Sequence, residues 1–320
     1  MEPDQLAAED LPTRGTSRRR VLYGAAAALA ATGAAGCGLT KSDKSNADDG
    51  SESKKGTAAA GTGDGESLLE RVKRAKEIRY GVDLSFKPLQ YRDDKTKEPT
   101  GYSVEVAKLL ATALGAKPKW VEVPFQEIIS AQAAGRFDMA GIPVVNTSER
   151  ALEVAFAAAP AFLEGTYLFQ RQGLNLTRPA QLDDPGITIA ILAGSAQANA
   201  AKILFPKAKL KELPDDVAAT ADVKTKRSDA LFVGDYAIGD AIGKGLRLIS
   251  PKPVATAWNT FFMPHGDPTM NEFVTTFLQN KAADLTLANL WQKFVAAGIE
   301  EHGVKSSPVR DPYLAAAQAV

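Results

Sequence analysis

The residues of this chain that could do chemistry fall in a pattern. Asp83, Phe86, Phe125, Thr147, Arg150, Gly194, Ser195 and Asp235 each stand just past the carboxyl end of a run that reads as a β-strand. In open α/β sheets that edge is where ligands bind. The set holds charges of both signs, hydroxyls, aromatic rings and a helix start, which together suit the holding of a small polar molecule. Catalysis has less to draw on. A general acid or base at this edge could come only from Asp83, Glu122, Glu127 or Asp235. His265 and His302 fall outside the strand-end set, the sole cysteine is Cys37, and neither a Ser/His/Asp arrangement nor a metal-ligand spacing occurs. Gly239-Asp240-Ala241-Ile242-Gly243-Lys244-Gly245 is glycine-rich but lacks the spacing and closing Ser or Thr of a phosphate loop, so it reads as a helix end and turn. No cofactor is called for.

The elements that must position these residues alternate in type. Ile78 to Val82 reads as a strand, and Val106, Leu109, Leu110, Ala113 and Leu114 recur at helical spacing until Gly115. Trp120 to Val123 is a second strand, Pro124 opens a helix to Gly135, and Phe137 to Ile142 is a third strand. The rhythm then repeats. Strands are expected at Ile187 to Leu192, Leu210 to Leu213 and Ala230 to Val233, with helices over Ser195 to Phe205 and Val217 to Arg227 and another beginning at Asp235. Phe273, Phe277, Leu278, Leu285, Leu287, Leu290, Trp291 and Phe294 mark a helical return. Such alternation implies mostly parallel sheets covered by helices, here in two similar α/β lobes with a cleft between them.

The N-terminal segment speaks of location. Arg18-Arg19-Arg20-Val21-Leu22 begins an Ala/Gly-rich apolar run that ends at Gly36-Cys37, too short to cross a bilayer comfortably. The paired arginines resemble a twin-arginine export signal. Ala34-Ala35-Gly36-Cys37 resembles a bacterial lipobox, with Ala34 where that motif usually has Leu, and implies lipidation of Cys37. Residues 38–66 carry almost no large apolar side chain and read as a flexible tether. With Cys37 consumed by the anchor, no cysteine remains for a disulfide. The chain as a whole has ordinary globular composition, 45% hydrophobic and 24% charged. Its 38 basic and 38 acidic residues cancel, giving no electrostatic reason to expect a nucleic-acid partner.

Six segments carry a family likeness. Ile78-Arg79-Tyr80-Gly81-Val82-Asp83, Phe86-Lys87-Pro88-Leu89, Thr100-Gly101-Tyr102-Ser103-Val104-Glu105-Val106-Ala107, Val123-Pro124-Phe125, Gly135-Arg136-Phe137-Asp138 and Thr147-Ser148-Glu149-Arg150-Ala151 occur in the order and spacing of the polar amino-acid-binding branch of extracytoplasmic solute-binding proteins. The chain resembles that family from Leu68 to Phe294. The resemblance implies a bilobed periplasmic-binding-protein-like fold with a two-segment hinge, one lobe formed by residues 67–164 and 259–320 and the other by 165–258. It implies a lipid-anchored, monomeric, non-enzymatic receptor outside the cytoplasm that delivers an amino acid or related carboxylate to an ABC import permease.

Roles follow from the same resemblance. Arg150 matches the arginine that grips the ligand α-carboxylate, a task suited to a planar fork. The backbone N–H groups of Val145, Ser195 and Ala196 match positions binding the same carboxylate. Asp235 matches the partner of the α-ammonium, helped by the Ile142 carbonyl; a helix N-cap is the competing explanation for it. Phe86 and Phe125 match walls that sandwich the ligand side chain, and Asp83 and Gln197 match contacts to its far end. Ile142-Pro143 stands where relatives often place hydroxyls, which thins the ammonium site and leaves an organic acid open as ligand. The same architecture also carries dehydratases acting on cyclohexadienyl carboxylates, and sensor domains.

Overall fold

The computed structural model describes residues 66–304; the expected export signal, Cys37, all of the expected tether except Glu66, and residues 305–320 lie outside them. Helix α1 (Leu68–Ala75) starts at a capping box, in which Ser67 Oγ accepts from the Glu70 N–H and the Glu70 carboxylate accepts from the Ser67 N–H. Strand β1 (Glu77–Val82) leads to three short strands, β2 (Ser85–Phe86), β3 (Gln90–Arg92) and β4 (Pro99–Thr100), which pair antiparallel in that order. Helix α2 (Tyr102–Ala113), strand β5 (Lys117–Glu122), helix α3 (Ile128–Ala133) and strand β6 (Met139–Ala140) complete a parallel sheet of order β5-β1-β6. The strand that comes first in sequence is therefore central.

Next come β7 (Val144–Val145), helix α4 (Ser148–Ala151), β8 (Ala155–Phe156) and the long β9 (Phe162–Gln170). Strand β10 (Thr188–Leu192), helix α5 (Ala196–Leu204), strand β11 (Lys209–Leu213), helix α6 (Asp216–Lys224) and strand β12 (Ala230–Gly234) then repeat the first plan, in the parallel order β11-β10-β12. Two lobes wound alike give the bilobed α/β fold. Strand β12 is buried on both faces and reads Ala-Leu-Phe-Val-Gly, the unbroken apolar run of a covered parallel strand. Helix α7 (Ile238–Gly243), β13 (Arg247–Leu248), β14 (Ala255–Thr260), β15 (Phe262–Met263), α8 (Pro268–Ala283) and α9 (Thr286–Trp291) follow. The buried Trp291 stands edge-on to Tyr102 at 5.1 Å and lies 5.2 Å from the Phe162 ring, so the helical return is locked to α2 and to the start of β9.

Two strands that sequence periodicity does not announce join the lobes. Strand β9 pairs antiparallel with β12 on one side and with β14 on the other, and β14 continues the sheet to β7. The expected lobe boundaries, at 164/165 and 258/259, fall inside these two strands. In their register Phe162 faces Asn259 and Glu164 faces Ala257, so Glu164 and Asn259 are diagonal neighbours on one face.

One element is much shorter than expected. The strand predicted over Phe137 to Ile142 pairs only at Met139–Ala140. Phe137 turns inward to fill the space a side chain would need at Gly81, where a Cβ would lie 2.4 Å from its ring. Asp138 is taken by Arg79 and Arg71, each at 2.6 Å. The helix expected from Pro124 likewise opens as a separate 3-10 turn, Phe125–Glu127, before α3 begins.

Candidate functional site

The loops that follow β1 and β5 are bolted together by Asp83. Its Oδ1 accepts from the Ser85 N–H at 3.0 Å and from the Ser85 hydroxyl at 2.7 Å, and its Oδ2 accepts from the Phe125 N–H at 2.8 Å. This sets the Phe86 and Phe125 rings 5.4 Å apart. Thr147 caps α4, accepting at its Oγ1 from the Arg150 N–H at 3.3 Å. On the second lobe Gly194 turns the chain with a φ of 68°. Ser195 then caps α5, its hydroxyl donating to the Leu192 carbonyl at 2.8 Å and accepting from the Ala198 N–H at 3.0 Å.

These supports aim Arg150 across the lobe boundary. Its guanidinium donates to the Val145 carbonyl at 2.7 Å and to the Gly194 carbonyl at 3.0 Å, and lies 5.7 Å from the centre of the Phe125 ring. Burial draws its pKa down, against the opposing pull of Glu164 and Glu149. Its two bonded acceptors are neutral carbonyls, and further donors of the fork remain for an anion.

Glu164 is the acid in the same cavity. It projects from β9, buried to 4% exposure, and its oxygens accept from the Asn259 amide at 2.9 Å and from the Gln197 amide. Burial pushes its pKa up to about 8, the charges of Asp235 and Asp216 add to the rise, and the two amides oppose it. The cavity holds about 30 Å³, room for a water or two. Phe86, Leu89, Phe125, Ile142, Pro143, Val144, Phe162 and Leu192 give it apolar walls, and Gln90, Arg150, Glu164, Gln197, Tyr236 and Asn259 its polar groups. The lobes must part to admit anything of amino-acid size. A larger groove of about 520 Å³ opens on the far side of Phe86 and Tyr236, but it contains neither Arg150 nor Glu164.

Of the residues expected at the site, Phe86, Phe125, Ile142, Val145, Arg150, Ala196 and Gln197 line this cavity. Asp83, Thr147 and Ser195 stand behind it as supports, their polar atoms committed to the backbone contacts above. Asp235 does not line it. Its Oδ2 accepts from the Gly165 N–H at 3.3 Å, and burial pushes its pKa up to about 7 against the pull of nearby backbone N–H groups. The acid that shares the cavity with Arg150 is Glu164, which reaches it because β9 runs through the lobe junction. The other acids considered for proton transfer are turned elsewhere, Glu122 to Arg92 and Glu127 to Arg136. Sequence reasoning missed Glu164, Gln90, Asn259 and Tyr236. Glu164 had a signal, a single acid inside the mostly apolar Phe162 to Phe169; the others had none.

The profile for bacterial extracellular solute-binding proteins, family 3, matches residues 78–297. The chain belongs to that family. Cyclohexadienyl dehydratase of Pseudomonas aeruginosa is 25% identical to this solute-binding protein over 169 residues, 52% of this chain and 62% of its own. A probable histidine-binding protein of Campylobacter jejuni is 25% identical over 173 residues, 54% of this chain and 66% of its own. The chain thus spans a little under two thirds of these curated relatives. Among solved structures, an ancestral amino acid-binding protein that is a precursor of cyclohexadienyl dehydratase superposes with a TM-score of 0.66 at 25% identity, over 72% of this chain and all of its own. The family is extracytoplasmic, and among the described residues no helix is long and apolar enough to cross a membrane.

Proposed function

We propose that this solute-binding protein is a receptor that captures an α-amino acid outside the cytoplasm and delivers it to an ABC import permease. The observation that carries the reading is the single cavity in which the Arg150 guanidinium and the Glu164 carboxyl stand opposed, between walls drawn from both lobes. Arg150 takes the α-carboxylate and Glu164 the α-ammonium, while the backbone N–H groups of Val145 and Ala196 border the carboxylate end. Strands β9 and β14 form the hinge. A ligand that touches Arg150 on one side and Gln197 on the other binds the closed form better and shifts the lobes toward it. Upstream, the lipobox-like Ala34-Ala35-Gly36-Cys37 speaks for a lipid anchor on a monomeric receptor, and the paired arginines for twin-arginine export.

The test is a thermal-shift screen of the purified chain against amino acids, amines and organic acids, because a ligand that binds only the native state raises the melting temperature by mass action. An amino acid is expected to give the largest shift. Arg150→Ala should then cost roughly 2–5 kcal/mol of affinity, and Arg150→Lys should recover only part. Equal affinity for the deaminated analogue would remove the amino-acid label. Lipid on Cys37 is read by mass spectrometry of the membrane fraction, with Cys37→Ala releasing the protein.

One observation favours a second reading. A buried carboxyl with its pKa near 8 is protonated at neutral pH, and beside Arg150 it could act as a general acid toward a hydroxyl that leaves as water. The likeness to a cyclohexadienyl dehydratase fits that chemistry. Incubation with a cyclohexadienyl carboxylate separates the two readings: turnover abolished by Glu164→Gln supports the enzyme, and no turnover supports the receptor.

A further inference from the structure

We propose that Gln90 is a specificity-determining residue of this cavity, its side-chain carbonyl accepting a hydrogen bond from an N–H or O–H on the ligand's side chain. The inference rests on the amino-acid reading and adds a third polar contact to it. Gln90 sits on β3, is 4% exposed and lines the cavity, and its Oε1 has no hydrogen-bond partner among the described residues. Every other polar side chain lining the cavity has one. Glu164 holds Asn259 and Gln197, the Tyr236 hydroxyl donates to Asp216 at 2.8 Å, and Arg150 donates to two carbonyls.

The position of Gln90 is well fixed. It faces Phe86 across the β2–β3 pair, and the first N–H groups of α2 hold the preceding carbonyls, Tyr102 to Pro88 at 3.2 Å and Ser103 to Leu89 at 2.8 Å. The neighbouring walls, Phe86, Leu89 and Phe162, are apolar and would accommodate an apolar side chain at this place without cost. A buried acceptor left unpaired there is a penalty unless something entering the cavity supplies a donor. Arg150 and Glu164 already match the two groups that every amino acid shares. A third polar group in the wall corresponds to a third polar group on the ligand. A site built to hydrogen-bond such a group also rejects the analogue lacking it, since that analogue leaves the acceptor buried and unpaired.

The experiment is calorimetric titration of the full chain with matched pairs that differ by a side-chain donor: threonine and valine, asparagine and leucine, glutamine and methionine, lysine and norleucine. Wild type should bind the donor-bearing member of at least one pair by a factor of about ten or more. Gln90→Met should cut that preference to roughly threefold or less, and Gln90→Glu, which keeps an acceptor, should retain it. The ligand-free melting temperature of Gln90→Met should equal or exceed that of wild type. The inference is overturned by a preference that survives Gln90→Met, by equal weakening of both members of a pair, by absence of preference in wild type, or by a fall of several degrees in the ligand-free melting temperature. If no amino acid shifts the melting temperature in the thermal-shift screen, the amino-acid reading falls and this inference with it. Should binding still depend on Arg150 while Gln90→Met keeps the preference, only this inference is lost.

Discussion

Glu164 yields a prediction in which folding and binding respond to pH with opposite signs. Burial and the neighbouring charge of Asp235 push its pKa up to about 8 from an ordinary 4.5, and Asp235 itself is pushed up to about 7 from 3.8. The two interact and titrate as a pair. Between the unfolded and folded values the native state holds protons that the unfolded chain has shed, so ligand-free stability falls as pH rises from about 5 to 8. The slope is on the order of 1.4 kcal/mol per pH unit for each group fully inside its window.

Binding of an ammonium runs the other way, because only ionised Glu164 pairs with it. With a pKa of about 8 the ionised fraction is about one in a hundred at pH 6 and half at pH 8, so affinity should rise about fiftyfold over that range. At pH 7 binding should release close to one proton per ligand. Calorimetry with the amino acid that gives the largest thermal shift, run at pH 6, 7 and 8 in buffers of different ionisation enthalpy, reads both quantities. Glu164→Gln is the matched variant. Rotation of the Asn259 and Gln197 amides can satisfy its new N–H₂ group, the pH slope of affinity should vanish, and ligand-free stability at pH 8 should rise. A wild-type affinity that stays within threefold from pH 6 to 8, or a slope that survives in Glu164→Gln, refutes the pairing.

Two further predictions use the same supports. Asp235→Asn removes a charge that helps raise the Glu164 pKa, so the midpoint of the pH profile should move toward acid and affinity at pH 7 should increase; a loss of tenfold or more at every pH would instead make Asp235 a direct ligand contact. Gly101→Ala should destabilise the fold by about 1–3 kcal/mol, because Gly101 has a φ of 112° and a Cβ there would lie 2.6 Å from the Leu89 carbonyl oxygen. Thermal melting checks the second, and an unchanged melting temperature counts against the stated strain.

How far the sequence could be read depends on how local the determining forces are. Strands β1 and β10 were legible as short apolar runs and helix α2 from apolar residues at helical spacing, and the doubled rhythm of the two lobes followed from them. Strands β9 and β14 were not. Their strand character comes from pairing across the lobe junction, between segments some ninety residues apart, and Gly165 and the acid at 164 break the pattern that would have marked β9. That gap decided what was missed at the site. Arg150 was found because it stands in a short local motif with its own cap, Thr147-Ser148-Glu149-Arg150. Glu164 and Asn259 become one polar pair only through the antiparallel register, which no local sequence property specifies.

Asp235 illustrates the converse. Its place after Gly234 at a strand end was read from sequence, yet the path of β9 decides which acid reaches the cavity. The Gly165 N–H, one residue beyond Glu164, binds the Asp235 carboxylate and holds it behind the wall while Glu164 projects from the same strand into the cavity. The two acids therefore divide the work by depth: one can meet a ligand, and the charge of the other adds to the burial that raises the proton affinity of the first. A pH profile that moves toward acid in Asp235→Asn but loses its slope in Glu164→Gln is what this division predicts.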